Sequence, residues 1–149
     1  MSVWKPSVTV AAVIERGGKF LFVEELVGGR RVINQPAGHL DPGESLVAAC
    51  AREALEETAH RFEPTGLIGV YRWYYEPEDV TFLRFCFRGN VLGVDANRKL
   101  DKEIIRLLWL TPDEVKASAA ARSPLVYRCV QDYLAGRNYP LDLLSKEFS

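Results

Sequence analysis

Residues 38–60 read GHLDPGESLVAACAREALEETAH, and this stretch decides the fold because the spacing of its apolar residues changes to that of a helix. From Ser45 onward the apolar period is about 3.6, which predicts a helix from about Ser45 to Ala59. The side expected to pack on a sheet carries Val47, Cys50, Ala51, Ala54, Leu55 and Thr58. Beside it, within an arc of about 100°, lie Glu53, Glu56 and Glu57.

These three glutamates repel one another unless a cation lies between them. A pair four residues apart, such as Glu53 and Glu57, costs about 0.2–0.5 kcal/mol on an exposed helix, and only Arg52 offsets it locally. Carboxylate oxygens favour Mg²⁺ or Mn²⁺, and Mg²⁺ shares its coordination sphere with waters and phosphates. The cluster therefore predicts metal-dependent chemistry at phosphate, and the alternative is a solvated helix face.

The sequence around this helix predicts strands on both sides of it. Residues 8–15 and 19–25, joined by Gly17-Gly18, predict an antiparallel hairpin. Further strands are predicted over residues 31–34, 65–76, 81–91 and 104–110, with the segments 65–76 and 81–91 paired as a second hairpin. Helices are predicted to begin at Thr111 and Ser123. Together these elements predict an α/β (α+β) fold in which helices cover a mixed sheet.

Composition restricts the class of protein and its partners. A chain of 149 residues with 48% hydrophobic and 26% charged residues predicts one folded domain over residues 1–149. A net charge of -1 provides no global attraction to nucleic acid or to an anionic membrane. We expect neither a signal peptide nor a membrane span. Three cysteines without close CxxC spacing indicate reduced core thiols in a cytoplasmic protein.

One spacing in the helical stretch is typical of a known family. Six residues have the spacing of the Nudix box, a match expected by chance on the order of once in 10⁷ to 10⁸ at a given start: Gly38, Glu44, Arg52, Glu53, Glu56 and Glu57. The chain therefore resembles the Nudix hydrolases, with the box over residues 38–60. The resemblance implies an α/β/α sandwich with a central mixed sheet and an enzyme that hydrolyses nucleoside diphosphates linked to another moiety.

The resemblance also implies roles for the box residues. Mg²⁺, or alternatively Mn²⁺, would be held by the carbonyl of Gly38 and the carboxylates of Glu53, Glu56 and Glu57. Glu44 and Arg52 would pair and orient the helix, and the alternative is a surface ion pair worth under about 1 kcal/mol. The match departs from the family at Ala59, where glycine is usual. Because Ala disfavours a left-handed cap, we expect the helix to run slightly further, towards Pro64.

Shorter segments resemble a phosphatase branch of this family: QPAGHL (35–40), FLRF (82–85), RSPLV (122–126) and YPL (139–141). This resemblance implies release of phosphate from nucleoside tri- and diphosphates and from hydroxymethylpyrimidine diphosphate, a thiamin precursor. The alternatives are oxidised nucleotides or ADP-ribose as substrates, or a non-catalytic nucleotide sensor. A sensor usually lacks a box carboxylate, whereas all three are present here. We expect a monomer that acts on a small molecule.

Two residues outside the box are candidates for substrate binding. Arg84 lies in an otherwise apolar strand, where a buried guanidinium needs an anionic partner, so we predict that it binds a substrate phosphate. The alternative is a structural ion pair. Trp73 shares a strand face with Tyr71 and Tyr75, and its flat ring suits stacking on a base. The alternative is an ordinary core aromatic residue.

An acidic loop residue is the remaining catalytic candidate. Glu103 precedes the strand 104–110, at a place where, by resemblance, Nudix enzymes carry a carboxylate that binds metal or acts as the base. Asp101 competes for this role, and both fit a solvated loop equally well. If neither is the base, Glu53 or Glu57 is the next candidate.

Overall fold

The computed structural model describes residues 2–145 and contains two β-sheets. The first sheet is built from β1 (Ser7–Val13), β5 (Ala37–His39), β6 (His60–Tyr75) and β7 (Val80–Val94). Its strand order is β5-β1-β7-β6. Because β1 runs parallel to β7 while the other neighbours are antiparallel, this sheet is mixed, as predicted. The hairpin of β6 and β7 is also confirmed.

The second sheet is organised around one strand. It contains β2 (Glu15–Arg16), β3 (Lys19–Val27), β4 (Arg30–Asn34) and β8 (Ile104–Leu110). Strand β3 pairs antiparallel with each of the other three. The predicted hairpin of residues 8–15 with 19–25 is therefore wrong for most of its length, since only the end of the first segment pairs with β3. The reason is that β1 carries small and apolar residues on both faces, which suits a strand inside a covered sheet.

Three α-helices pack around the first sheet within the described residues. They are α1 (Leu46–Thr58), α2 (Pro112–Ala117) and α3 (Leu125–Leu134). The Ser45 hydroxyl accepts a hydrogen bond from the Ala48 N–H at the start of α1, and Thr111 with Glu114 forms a capping box at α2. Within residues 2–145, none of these helices is long and apolar enough to span a membrane.

Alternate residues of β1 divide the core between the two faces of the sheet. Val10 and Ala12 pack with Ala49, Cys50 and Ala54 of α1. Ala11 and Val13 pack on the opposite side with Val126, Cys129 and Val130 of α3. The architecture is therefore the predicted α/β/α sandwich. Cys50, Cys86 and Cys129 are buried free thiols, as expected for core residues.

The end of α1 differs from its prediction. Ala59 adopts a left-handed backbone with φ 59° and caps the helix, its N–H donating to the Leu55 carbonyl at 2.9 Å. A left-handed alanine costs about 1 kcal/mol. Hydrogen bonding at the start of the sheet outweighs this cost, because the Asp95 N–H donates to the Ala59 carbonyl and β6 begins at the next residue. Pro64 does not end the helix but lies inside β6, at an irregularity in its pairing with β7.

Candidate active site

A cavity of about 430 Å³ lies between the two sheets and the α1 helix. Six of the predicted site residues line it: Gly38, Glu53, Glu57, Trp73, Arg84 and Glu103. Glu44, Arg52 and Glu56 lie outside that lining. The fold thus brings acidic residues of α1 and the loop before β8 to the same cavity as an arginine and an aromatic residue of the β6–β7 hairpin.

An acidic cluster is formed by Glu53, Glu56 and the loop residue Asp101. One oxygen from each carboxylate lies within 4.8 Å of the others. The loop is attached to the helix, because the Asp101 N–H donates to the Glu56 carbonyl at 3.1 Å. Burial and the neighbouring carboxylates raise the pKa of Glu53 and Asp101, against the lowering effect of nearby arginines. This excess of carboxylate oxygens has the chemistry of a hard divalent cation site.

Arg52 connects this cluster to Glu44. Its Nη2 and Nε donate to the two Glu44 carboxylate oxygens at 2.6 and 2.9 Å, and its Nη1 donates to Glu53 and Glu56 at 2.8 and 3.1 Å. Nη2 also reaches the His39 carbonyl. With side chains only 26% and 17% exposed, Arg52 and Glu44 form a half-buried network and not a surface ion pair. The network fixes the start of α1 against β5.

Glu57 is not one of the three carboxylates of that cluster. It was predicted beside the packing side of α1, but it is only 8% exposed. The buried residues of α1 are Ala49, Cys50, Ala54, Glu57 and Thr58, and Val47 packs against the same core, so the predicted packing side is confirmed except at the half-buried Ala51 and Leu55. Small side chains at 49, 50 and 54 let this face approach the sheet closely.

The burial of Glu57 controls its ionisation. Its Oε1 accepts a hydrogen bond from the Ala37 N–H at 2.9 Å. Burial raises the pKa of Glu57 to about 9, opposed by that hydrogen bond and assisted by the charges of Glu25, Glu53 and Asp101. Burial therefore favours the protonated form of Glu57 when no cation is bound.

Gly38 lies directly against Glu53. A Cβ atom at residue 38 would overlap the Glu53 carboxylate group. Glycine at this position therefore lets the Glu53 carboxylate lie close to β5.

We expect Gly38→Ala to weaken divalent metal binding about 10- to 100-fold, because the added methyl group displaces the Glu53 carboxylate from the cluster. The displaced atoms are the end of a flexible side chain, so the Tm in EDTA should fall by only a few degrees. Titration with Mn²⁺, followed by thermal shift, measures both quantities. An unchanged Mn²⁺ affinity would contradict the assignment.

Arg84 is buried, and its two short hydrogen bonds go to uncharged amide oxygens. Nη1 donates to the Gln35 Oε1 at 2.9 Å and Nη2 to the Asn34 Oδ1 at 2.6 Å. A longer contact of 3.7 Å joins Nη1 to the Cys129 Sγ. No carboxylate within residues 2–145 is among these partners, and the side chain lines the cavity.

The aromatic residues of β6 divide between the core and the cavity. The Trp73 ring stacks on Phe82, with centroids 5.6 Å apart and planes at 19°, and both rings line the cavity. The Tyr71 hydroxyl instead donates to the Asp132 carboxylate at 2.6 Å. Trp73 and Phe82 thus form a half-buried aromatic wall, whereas Tyr71 is part of the packing against α3.

Among the polar residues of the cavity that were not predicted are Glu25, Asn34 and Arg122. Burial and Glu103 raise the pKa of Glu25, while Arg122 opposes this shift. Glu25 lies at an irregularity in the pairing of β3 with β8, which strand alternation does not anticipate. Asn34 ends β4 immediately before the segment 35–40, and that position was its only sequence signal.

Comparison with known proteins agrees with this arrangement. A family model described as NUDIX domain matches residues 4–129. Phosphatase NudJ of Escherichia coli K12 is 39% identical over 141 residues, which cover 95% of this chain and 92% of the relative. A NUDIX hydrolase structure from Nitrosomonas europaea is 52% identical, with a TM-score of 0.93 over 96% of this chain and 98% of the other.

These matches define the class of protein. The chain belongs to the Nudix family and is a Nudix hydrolase, an enzyme that acts on phosphoanhydrides of small-molecule nucleotides. Among its relatives it is similar to Phosphatase NudJ. A MutT Nudix hydrolase from Burkholderia pseudomallei, at 18% identity and a TM-score of 0.74 over 87% of this chain and 98% of the other, supports the fold alone.

Proposed function

We propose that this enzyme releases phosphate from nucleoside tri- and diphosphates and from hydroxymethylpyrimidine diphosphate, with Mg²⁺ as its cofactor. The observation that carries the proposal is a single cavity with carboxylates of α1 in its lining and the Arg84 guanidinium among the same lining residues. Such a cavity can hold a cation and a phosphate group together. The similarity to a protein named as a phosphatase supports release of orthophosphate.

The residues present fit a hard divalent cation. All the candidate ligand atoms are oxygens, which suits Mg²⁺ first and Mn²⁺ second. The ligands we propose are Glu53, Glu56, Glu57 and the Gly38 carbonyl, and the geometry of the acidic cluster supports adding Asp101. When bound, the cation supplies charge neutralisation at the phosphate oxygens and a water of lowered pKa. Arg52 and Glu44 orient the helix that carries these carboxylates.

Glu103 is our candidate for the group that accepts the proton of the attacking water. Glu103 lines the cavity, whereas Asp101 is a member of the acidic cluster and does not line the cavity. Glu53 and Glu57 remain the next candidates, and the high pKa of Glu57 argues against it as a base in the metal-free site. We therefore propose Asp101 as a metal ligand and Glu103 as the group that accepts the proton.

Arg84 and Trp73 are proposed to bind the substrate. The guanidinium has five N–H groups, and its three contacts leave two of them without a partner among the described residues. Two N–H groups match the oxygens of a phosphate. The wall of Trp73 and Phe82 supplies a flat surface for the base.

We expect Trp73→Ala to raise the KM for a nucleoside diphosphate about 10-fold, since stacking on an aromatic ring contributes about 1–3 kcal/mol per base. Inhibition by orthophosphate should be unchanged, because it has no base. Steady-state kinetics with Trp4→Ala as the control checks this, as Trp4 is 71% exposed. A KM that stays at the wild-type value would return Trp73 to a structural role.

The experiment that tests the function is a release assay with a panel of nucleoside tri- and diphosphates, ADP-ribose and hydroxymethylpyrimidine diphosphate, with Mg²⁺ or EDTA. Orthophosphate released only with Mg²⁺ is the expected result. Pyrophosphate release would move the site of attack to an inner phosphorus. Nucleotide binding without turnover would favour a sensor and contradict the proposal.

The proposal includes one domain over residues 1–149, acting as a cytoplasmic monomer on a small molecule and not on nucleic acid or at a membrane. The net charge of -1 and the three buried free thiols support it. Light scattering of the purified protein measures the oligomeric state.

A further inference from the structure

Arg84 is a buried cation that makes no ion pair within residues 2–145. It is 5% exposed, and a guanidinium so buried ordinarily pairs with a carboxylate. The two short hydrogen bonds it donates go to amide oxygens of Asn34 and Gln35. The amides therefore orient the guanidinium, and no carboxylate within residues 2–145 neutralises its charge.

Arg52 shows the opposite arrangement near the same cavity. Its guanidinium lies within 4.0 Å of four carboxylates, those of Asp41, Glu44, Glu53 and Glu56. The positive charge of Arg52 is therefore paired with carboxylates of the protein itself. Of these two arginines, only Arg84 keeps a positive charge available to a ligand.

The two amides are held in a fixed orientation. The Gln35 Nε2 donates to the Val126 carbonyl at 2.7 Å, so its Oε1 is the atom that faces Arg84. Gln35 is 1% exposed and is thereby attached to the first turn of α3. Asn34 completes the arrangement from β4 and lines the cavity itself. The longer contact from Nη1 to the Cys129 Sγ is the third side-chain contact of the guanidinium.

We propose that Asn34 and Gln35 are positioning residues, a neutral pair that aims Arg84 into the cavity and keeps its charge uncompensated for a phosphate group of the substrate. This inference rests on the proposed role of Arg84 in phosphate binding. A carboxylate at either position would pair with the guanidinium and add a negative charge beside the phosphate. The amides therefore determine affinity for phosphate, although they are uncharged.

The test is Asn34→Asp, which keeps the shape of the side chain and changes its charge. We expect the KM for a nucleoside diphosphate and the Ki for orthophosphate to rise about 10- to 100-fold, with kcat changed less than about 3-fold. Asn90→Asp is the matched control, because Asn90 is exposed on β7, six residues from Arg84 and about 20 Å along the strand. The control should leave both constants unchanged.

A double-mutant cycle with Arg84→Met separates this inference from the proposed function. If Arg84→Met leaves KM and Ki unchanged, the phosphate role of Arg84 is wrong. If Arg84→Met raises both but Asn34→Asp does not, only the positioning role is overturned. Additive effects in the double variant would mean that Asn34 contacts the substrate itself, which also overturns it. We expect Asn34→Asp to add little once Arg84 is absent.

A second variant covers the case in which Asn34→Asp does not fold. Asn34→Ala removes the hydrogen bond to Arg84 without adding charge. It should raise KM about 3- to 10-fold with kcat retained, and this effect should disappear in the Arg84→Met background. A wild-type KM in a folded Asn34→Ala protein overturns the positioning role.

Discussion

Glu53→Gln should lower kcat by about 10²- to 10³-fold, which corresponds to about 3–4 kcal/mol of lost transition-state stabilisation. Glu53 is central to the site, because it belongs to the acidic cluster, lines the cavity and lies against Gly38. Glutamine keeps the size of the side chain but removes the negative charge that a divalent cation requires. The loss should appear at saturating substrate and should not be recovered at high Mg²⁺ concentration.

The matched control for Glu53→Gln is Glu63→Gln, an equal change of charge on the exposed side of β6. Its kcat should equal that of the wild type. Circular dichroism and Tm in EDTA establish that both variants are folded. Wild-type turnover in a folded Glu53→Gln protein would contradict the metal assignment for the whole helix.

Local sequence signals were sufficient to predict the elements whose ends depend on residues close by in the chain. The α1 helix begins at the serine that was predicted to start it, and α2 begins with the predicted capping box, since both depend on side chains a few residues apart. The strand predicted over residues 104–110 is β8 without a change of bounds. The Nudix box could likewise be found from sequence, because its fixed residues lie on one helix and the turn before it.

The partners of each element depend on distant residues and were less predictable. Strand β1 pairs with β7, about 70 residues later, and not with its neighbour β3. Ala59 accepts a left-handed backbone because β6 must begin at once beside β7. These outcomes reflect tertiary contacts that outweigh local preference.

The chemistry of the site was predictable in residue type but not in arrangement. Helical spacing grouped Glu57 with Glu53 and Glu56, whereas in the structure Glu57 is buried and the third carboxylate of the acidic cluster is Asp101. Asp101 joins the cluster from a loop more than 40 residues away. The amides that hold Arg84 precede it by about 50 residues, so no local pattern could associate them with a strand arginine.

In EDTA, the wild-type protein should lose stability as the pH rises from about 5 to 9, and Glu57→Gln should remove a large part of this loss. The folded-state pKa of Glu57, about 9, lies above its ordinary value of 4.5. The folded protein therefore binds a proton that the unfolded chain releases. The contribution is fully favourable below pH 4.5 and is lost as the pH rises towards 9, at a cost on the order of 5 kcal/mol.

Glutamine resembles the protonated carboxyl group and can still accept the Ala37 N–H, so the variant should be nearly neutral at pH 5. At pH 9 it should exceed the wild-type Tm by on the order of 10 °C, since 1 kcal/mol corresponds to about 2–4 °C for a chain of this size. The raised pKa values of Glu53 and Asp101 also lower the stability of the folded protein as the pH rises. The contribution of Glu57 is therefore measured by the difference in Tm between the variant and the wild type at each pH. Glu63→Gln is again the control. Parallel Tm curves for Glu57→Gln and the wild type would show that burial does not hold a proton on Glu57, because a raised pKa requires the two curves to diverge with pH.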